Sequence, residues 1–123
     1  MQVACIVVDD NQGVQDVFVE LLQFSGINVI GRAKNGMEAV EIYKKLKPDI
    51  VFMDVMMPKY DGIYGLEKIR EYDQDSKIVL VTASINSESD VDRYHATAVI
   101  SKPIDMSKVM KIVTACAHSK ICN

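Results

Sequence analysis

The stretch that decides the fold is IVFMDVMMP, residues 50–58. Four apolar residues run directly into one carboxylate, Asp54. A short run that is apolar on both faces is typical of a central strand in a parallel sheet. Pro58 ends this pattern, because proline cannot donate to a strand ladder and restricts the residue before it. Asp54 is therefore predicted to lie at the carboxyl edge of a central strand, where open α/β sheets bind ligands.

The first apolar run, residues 3–8, also ends in acids, Asp9 and Asp10. An aspartate after a strand is often only a turn former or a helix cap. If the two strands are neighbours, however, three carboxylates converge on one crevice, which is unfavourable unless a cation lies among them. Ligands that are all oxygen favour Mg²⁺ over zinc or copper. The pattern therefore predicts a Mg²⁺ site formed by Asp9, Asp10 and Asp54.

Length and composition indicate one soluble globular domain over residues 1–123. The chain is 49% hydrophobic and 25% charged, and 14 Lys and Arg against 17 Asp and Glu give a net charge of −3. Without a basic stripe, we expect no direct nucleic-acid binding. No apolar run approaches the ~20 residues of a membrane span, and no signal peptide is visible. We expect a cytoplasmic protein without membrane insertion, with Cys5 as a reduced thiol in its core.

Strand-like and helix-like segments alternate five times along the chain. The helix after Asp10 is predicted to begin at Asn11, and its inner face is predicted from the helical period to consist of Val14, Val17, Phe18 and Leu21. Gly65 interrupts the third helix at a cost of about 1 kcal/mol relative to alanine, so we expect a packing reason for it. Residues 85–95 have few apolar positions and predict only a weakly packed helix.

Alternating strands and helices imply parallel strands, right-handed crossovers and helices on both faces of the sheet. The strand order does not follow from periodicity. The order 2-1-3-4-5 places the switch point between strands one and three, where Asp9, Asp10 and Asp54 end. We therefore predict an α/β fold with a doubly wound, five-stranded parallel sheet.

Two further reactive groups end strands at the same edge. Thr82 ends the fourth strand, and Lys102 follows the fifth. Each has an ordinary explanation by itself, as a strand residue or a solvated lysine. Together with the carboxylates they suit phosphoryl chemistry, in which a carboxylate is the nucleophile and a lysine holds a phosphate oxygen.

These residues resemble the receiver domain of two-component response regulators. The matching motifs are VDD at 8–10, MD at 53–54, MP at 57–58, DG at 61–62, TA at 82–83 and KP at 102–103, and they span essentially the whole chain. The resemblance implies a flavodoxin-like fold of five βα units, and chemotaxis receivers have the same strand order.

The resemblance also implies a role for each acidic residue. Asp54 would be the phosphoacceptor. Asp10, Asp54 and the backbone carbonyl of Met56 would bind Mg²⁺, and Asp9 would assist through water. The phosphoryl group would come from a sensor histidine kinase, and the signal would pass to an effector protein or a phosphotransfer protein. Such a domain signals, and it is not an enzyme in the usual sense.

Thr82 and Lys102 would contact the phosphoryl group, and the Lys102–Pro103 peptide is typically cis in this family. The chain departs from the family pattern at the switch position, where Val99 replaces the usual Tyr or Phe. The segment between Thr82 and Lys102 is also shorter than usual. We therefore expect activation to order or shift residues 84–95, without the inward rotation of an aromatic ring.

Other functions remain as alternatives. A flavin carrier would need Ser, Thr and Gly after the first strand, where this chain has Asp9 and Asp10. A haloacid-dehalogenase-like phosphatase would have its nucleophile after the first strand, in an Asp-x-Asp pattern, and would need a cap or insert. Neither feature is visible in this sequence. A scaffold with a receiver fold that is never phosphorylated also remains, although the full set of acids, hydroxyl and lysine argues against it. The chain could be a stand-alone receiver or part of a longer regulator.

Overall fold

The computed structural model describes residues 2–83 and 95–122. Five strands form one parallel sheet in the order β2-β1-β3-β4-β5. They are β1 (Ala4–Val8), β2 (Asn28–Ala33), β3 (Ile50–Asp54), β4 (Ile78–Thr82) and β5 (Ala98–Ser101). This topology confirms the predicted fold and strand order.

Four helices belong to the described part of the chain: α1 (Gln12–Phe24), α2 (Gly36–Leu46), α3 (Gly62–Tyr72) and α4 (Met106–Cys122). None of these helices is both long enough and apolar enough to cross a membrane. The helix predicted over 85–95 lies outside the described residues, except for its final residue.

The helices pack on both faces of the sheet and bury two separate clusters. On one face, α1 and α4 cover a cluster that contains Phe18, Phe52 and Val113. The rings of Phe18 and Phe52 meet edge to face, with centroids 5.2 Å apart. On the other face, α2 and α3 cover a cluster that contains Met53 and Leu66. Every residue of β3 and β4 is buried, as expected for central strands of a parallel sheet.

The inner face of α1 differs from the prediction. The helix begins after Asn11 as expected, but Val17 is 57% exposed and Leu21 is 38% exposed. The residues that α1 buries are Gln15, Phe18, Val19 and Leu22. The observed set is the predicted set moved by one position along the chain, which turns the buried face by about 100°. Both sets have helical spacing and share Phe18, so periodicity alone could not distinguish them.

The packing reason expected for Gly65 is present. A β-carbon on Gly65 would lie 2.7 Å from Sδ of Met53 and 3.2 Å from Cα of Gly36. The two glycines therefore let α2 and α3 approach each other above the centre of the sheet. Cys5 is fully buried in β1, which confirms its predicted place in the core.

Candidate functional site

Three aspartates meet at the carboxyl edge of the sheet. β1 and β3 are paired in parallel with Val8 beside Met53, so the residues that follow, Asp9 and Asp54, lie side by side. One carboxylate oxygen from each of Asp9, Asp10 and Asp54 lies within 4.8 Å of the others. Asp9 and Asp54 are buried, whereas Asp10 is exposed. The cluster is therefore anchored in the fold and open to solvent on one side.

Backbone hydrogen bonds orient the two buried carboxylates. The backbone N–H of Asn11 donates to Oδ1 of Asp9 at 2.9 Å, and the N–H of Met56 donates to Oδ1 of Asp54 at 3.4 Å. Each carboxylate thus has one oxygen held by the loop that follows its strand. The second oxygen of each carboxylate is directed toward a lysine.

That lysine is Lys102, which follows β5. Its Nζ lies 3.5 Å from Oδ2 of Asp9 and 3.5 Å from Oδ2 of Asp54. The backbone N–H of Lys102 donates to the carbonyl of Thr82 at 2.8 Å, and the Lys102–Pro103 peptide is cis, as the resemblance implied. The ammonium group partly offsets the repulsion between the two buried carboxylates.

The electrostatic balance at Asp54 is unfavourable for its charged form. Burial raises the pKa of this carboxyl above its usual value, because desolvation disfavours the ion. The ammonium of Lys102 lowers this pKa, and the negative charge of Asp9 raises it again. A cation bound among the acids would favour the ionised carboxylate, which is the form that can act as a nucleophile.

The other predicted site residues lie at different distances from this cluster. Thr82 is buried at the end of β4, one residue beyond Val81, which is paired with Asp54. Met56 follows Asp54 by two residues and has a side chain that is 73% exposed. Val99 lies within β5 and packs, partly buried, against the core cluster under α2 and α3.

Gly62 determines how closely α3 approaches the site. A β-carbon on Gly62 would overlap the carbonyl oxygen of Asp54 and lie 2.9 Å from Cα of Val55. Its backbone N–H donates to the carbonyl of Val55 at 3.0 Å. Asp61, the residue before it, caps α3 by accepting the N–H of Tyr64 at 2.8 Å. The Asp-Gly pair thus starts a helix directly against the end of the strand that carries Asp54.

The sequence prediction missed one polar residue beside the site, Gln15. Its side chain is buried, and Nε2 donates to the carbonyl of Asp9 at 3.1 Å and to the carbonyl of Ala33 at 2.9 Å. The available signal was its spacing, since Gln15 precedes the buried residues Val19 and Leu22 by four and seven positions. A polar residue on the inner face of a helix needs a hydrogen-bonding partner.

The chemistry of the acidic cluster suits a hard divalent cation. The side chains that it offers as ligands are three carboxylates, and Mg²⁺ typically binds one or two carboxylates together with water and phosphate oxygens. Zinc and copper sites usually include nitrogen or sulfur ligands, which this cluster does not offer. The donor set therefore fits Mg²⁺.

Comparison with known protein sequences identifies the same family that the motifs resemble. A family model described as response regulator receiver domain matches residues 5–114. The chemotaxis protein CheY of Treponema pallidum is 37% identical over 115 residues, which cover 89% of this chain and 79% of that protein. CheY of Bacillus subtilis is 33% identical over 110 residues, which cover 88% of this chain and 92% of that protein.

Solved structures show the same similarity. A CheX-CheY-BeF3-Mg+2 complex from Borrelia burgdorferi contains a chain that superposes with a TM-score of 0.84 at 32% identity, covering 92% of this chain and 87% of that one. A CheY-like receiver domain protein from Methanospirillum hungatei superposes with a TM-score of 0.85 at 21% identity over the full length of both chains. At that identity the second structure supports the fold alone.

Proposed function

The chain belongs to the response regulator receiver family of two-component signalling, and on that premise we propose that it accepts a phosphoryl group on Asp54 from a sensor histidine kinase. Receiver domains are signalling domains, and we propose that residues 1–123 form one such domain in the cytoplasm. The observation that carries this proposal is the convergence of three carboxylates and the Lys102 ammonium at one edge of the sheet.

Mg²⁺ would be held by the carboxylates of Asp10 and Asp54 and by the backbone carbonyl of Met56, with Asp9 contributing through water. When bound there, the ion would neutralise charge on the phosphoryl oxygens and relieve repulsion among the acids. The exposure of Asp10 supports this assignment, because Mg²⁺ gives up its water reluctantly and would keep several water ligands.

Asp54 supplies the nucleophile. One of its carboxylate oxygens attacks the phosphorus of a phosphohistidine, and the bond between phosphorus and the imidazole nitrogen breaks. The imidazole, protonated on its other nitrogen, leaves as a neutral ring. Lys102 then pairs with one phosphoryl oxygen as a point charge, and the hydroxyl of Thr82 donates to another. This role of Lys102 is supported by its position, since Nζ lies 3.5 Å from Oδ2 of Asp54.

An apolar groove next to the site suits a protein donor. It has a volume of about 590 Å³, and its lining includes the exposed side chains of Val17 and Leu21 on α1. Pro103 and Ile104 form its other wall, and it reaches Lys102. Exposed apolar surface of this kind marks protein contact sites. We propose that the sensor histidine kinase docks here, so that its phosphohistidine faces Asp54.

The output is a change in binding to a downstream effector or phosphotransfer protein. The Borrelia CheX-CheY-BeF3-Mg+2 complex supports this proposal, because a similar chain is bound to another protein there. Val99 remains the proposed switch position. Valine has few rotamers to exchange, so activation would act through residues 84–95. Residues 84–94 lie outside the described part of the chain.

The proposal is tested by incubating the protein with acetyl phosphate and following its intact mass with and without Mg²⁺. We expect a phosphorylated species that requires Mg²⁺ and is absent from Asp54→Asn. The matched control is Asp75→Asn, which changes an exposed aspartate away from the site and should be labelled like the wild type. Undiminished labelling of Asp54→Asn would refute the assignment. A wild type that responds neither to acetyl phosphate nor to beryllofluoride would favour the non-phosphorylated scaffold.

A further inference from the structure

Gln15 is a buried amide at the base of the acidic cluster. Its side chain is 2% exposed, although α1 uses this face to cover the sheet with apolar residues. Burying an amide is unfavourable unless it is hydrogen-bonded. Gln15 meets this condition by donating from Nε2 to the carbonyls of Asp9 and Ala33, at 3.1 and 2.9 Å. Its carboxamide therefore links α1 to the ends of β1 and β2.

These contacts hold the backbone on both sides of Asp9. The N–H of Asp9 donates to the carbonyl of Ala33 at 3.1 Å, so the β1–β2 ladder holds the preceding peptide. The carbonyl of Asp9 belongs to the following peptide, which connects it to Asp10, and Gln15 donates to that carbonyl. Asp10 lies beyond the strand and is exposed. Gln15 therefore holds the carbonyl side of the Asp9–Asp10 peptide, and the direction of the Asp10 side chain depends on how that peptide is oriented.

We propose that Gln15 is a positioning residue for the metal site, which sets the orientation of Asp10 relative to Asp9 and Asp54 through the Asp9 carbonyl. This inference rests on the proposed Mg²⁺ site. Groups that orient metal ligands without touching the metal commonly change metal affinity by 10–100-fold when they are removed. If Gln15 only satisfied two backbone carbonyls, its removal would lower the stability of the fold and leave the metal affinity unchanged.

Gln15→Met tests the proposal, because methionine keeps the length of the side chain and removes both donors. The matched control is Gln23→Met, the same replacement at an exposed position of the same helix. Mg²⁺ affinity is measured by calorimetric titration well below the unfolding temperature, and stability is measured by thermal unfolding. We expect the Mg²⁺ dissociation constant to rise about tenfold in Gln15→Met and to stay unchanged in Gln23→Met.

The outcomes separate this inference from the proposed function. If the wild type does not bind Mg²⁺ at millimolar concentration, the proposed metal site itself is wrong. If the wild type binds Mg²⁺ and Gln15→Met binds it equally well, with or without a lower unfolding temperature, the positioning role is refuted and the metal site stands.

A measurement on the unaltered protein applies if Gln15→Met does not fold. In nitrogen-15 NMR spectra, the side-chain amide protons of Gln15 should exchange slowly with water. Their signals should shift during a Mg²⁺ titration with the same midpoint as the backbone amide of Asp10. Rapid exchange, or signals that do not move while Asp10 responds, would overturn the proposal.

Discussion

Replacing Gly65 with alanine tests the close approach of α3 to the strand that carries Asp54. The new β-carbon would lie 2.7 Å from Sδ and 2.9 Å from Cε of Met53, and 3.2 Å from Cα of Gly36. Met53 is fully buried and directly precedes Asp54, so its side chain has little space to move. The contact with Gly36 involves its backbone, which cannot move aside as the end of a side chain can. Gly65→Ala therefore overpacks the interface between α2, α3 and β3.

Two opposing terms set the size of the effect. Alanine gains about 1 kcal/mol over glycine in helix propensity, and overpacking a core costs about 1–3 kcal/mol. We expect a net loss of about 1 kcal/mol in the free energy of unfolding. At about 2.1 cal/mol/K of unfolding entropy per residue, this corresponds to a fall of about 4 °C in Tm for a chain of this length.

Gly13→Ala in α1 is the matched control. The nearest atom to a β-carbon at Gly13, outside its own helix turn, is Oδ1 of Asn11 at 3.5 Å, which is an ordinary contact. This variant should gain up to about 1 kcal/mol. Urea unfolding and thermal unfolding of both variants measure the two changes. If Gly65→Ala stabilises the protein as much as Gly13→Ala does, the described packing of Gly65 against Met53 is wrong.

Two further predictions concern Lys102 and Cys5. Lys102→Met removes a positive charge from beside the acids, so this variant should bind Mg²⁺ at least as tightly as the wild type in a calorimetric titration. It should also lose its response to beryllofluoride. Weaker Mg²⁺ binding would contradict the charge balance described for the site. Burial raises the pKa of the Cys5 thiol to about 12, so the unfolded chain loses this proton at lower pH than the folded protein does. The contribution of Cys5 to stability should be complete below about pH 8.5 and lost as the pH rises toward 12. This contribution is measured by comparing the pH dependence of urea unfolding between the wild type and Cys5→Ala. Identical curves would contradict the described burial of the Cys5 thiol.

The sequence was sufficient for the sheet and for the convergence of the acids. Residues 50–54 are apolar on both faces up to Asp54, which marks a central strand, and side chains at the carboxyl ends of parallel strands share one edge. The need to bring Asp9, Asp10 and Asp54 together predicted that β1 and β3 are neighbours, and the rest of the order 2-1-3-4-5 came with the resemblance to receiver domains. The residues at the strand ends could therefore be predicted to meet before the packing of the helices was known.

The packing of the helices against the sheet could not be predicted from the sequence in the same way. Two sets of residues on α1 have helical spacing, and the choice between them depends on the shape of the sheet beneath Phe18, which periodicity does not describe. Gln15 was missed for this reason, since a polar residue is assigned to the surface until the rotation of its helix is known. The role of Gly62 also appears only when α3 is placed against the carbonyl of Asp54.

The most direct test of the central claim is to locate the phosphoryl group by chemistry. The protein is phosphorylated with acetyl phosphate and Mg²⁺ and then treated with borohydride, which reduces an aspartyl phosphate to homoserine. Peptide mass spectrometry identifies the reduced position, and an unphosphorylated sample treated in the same way is the control. We predict homoserine at position 54, dependent on Mg²⁺. Homoserine at position 9 or 10, or none at all in protein whose intact mass shows phosphorylation, would contradict the assignment of Asp54 as the phosphoacceptor.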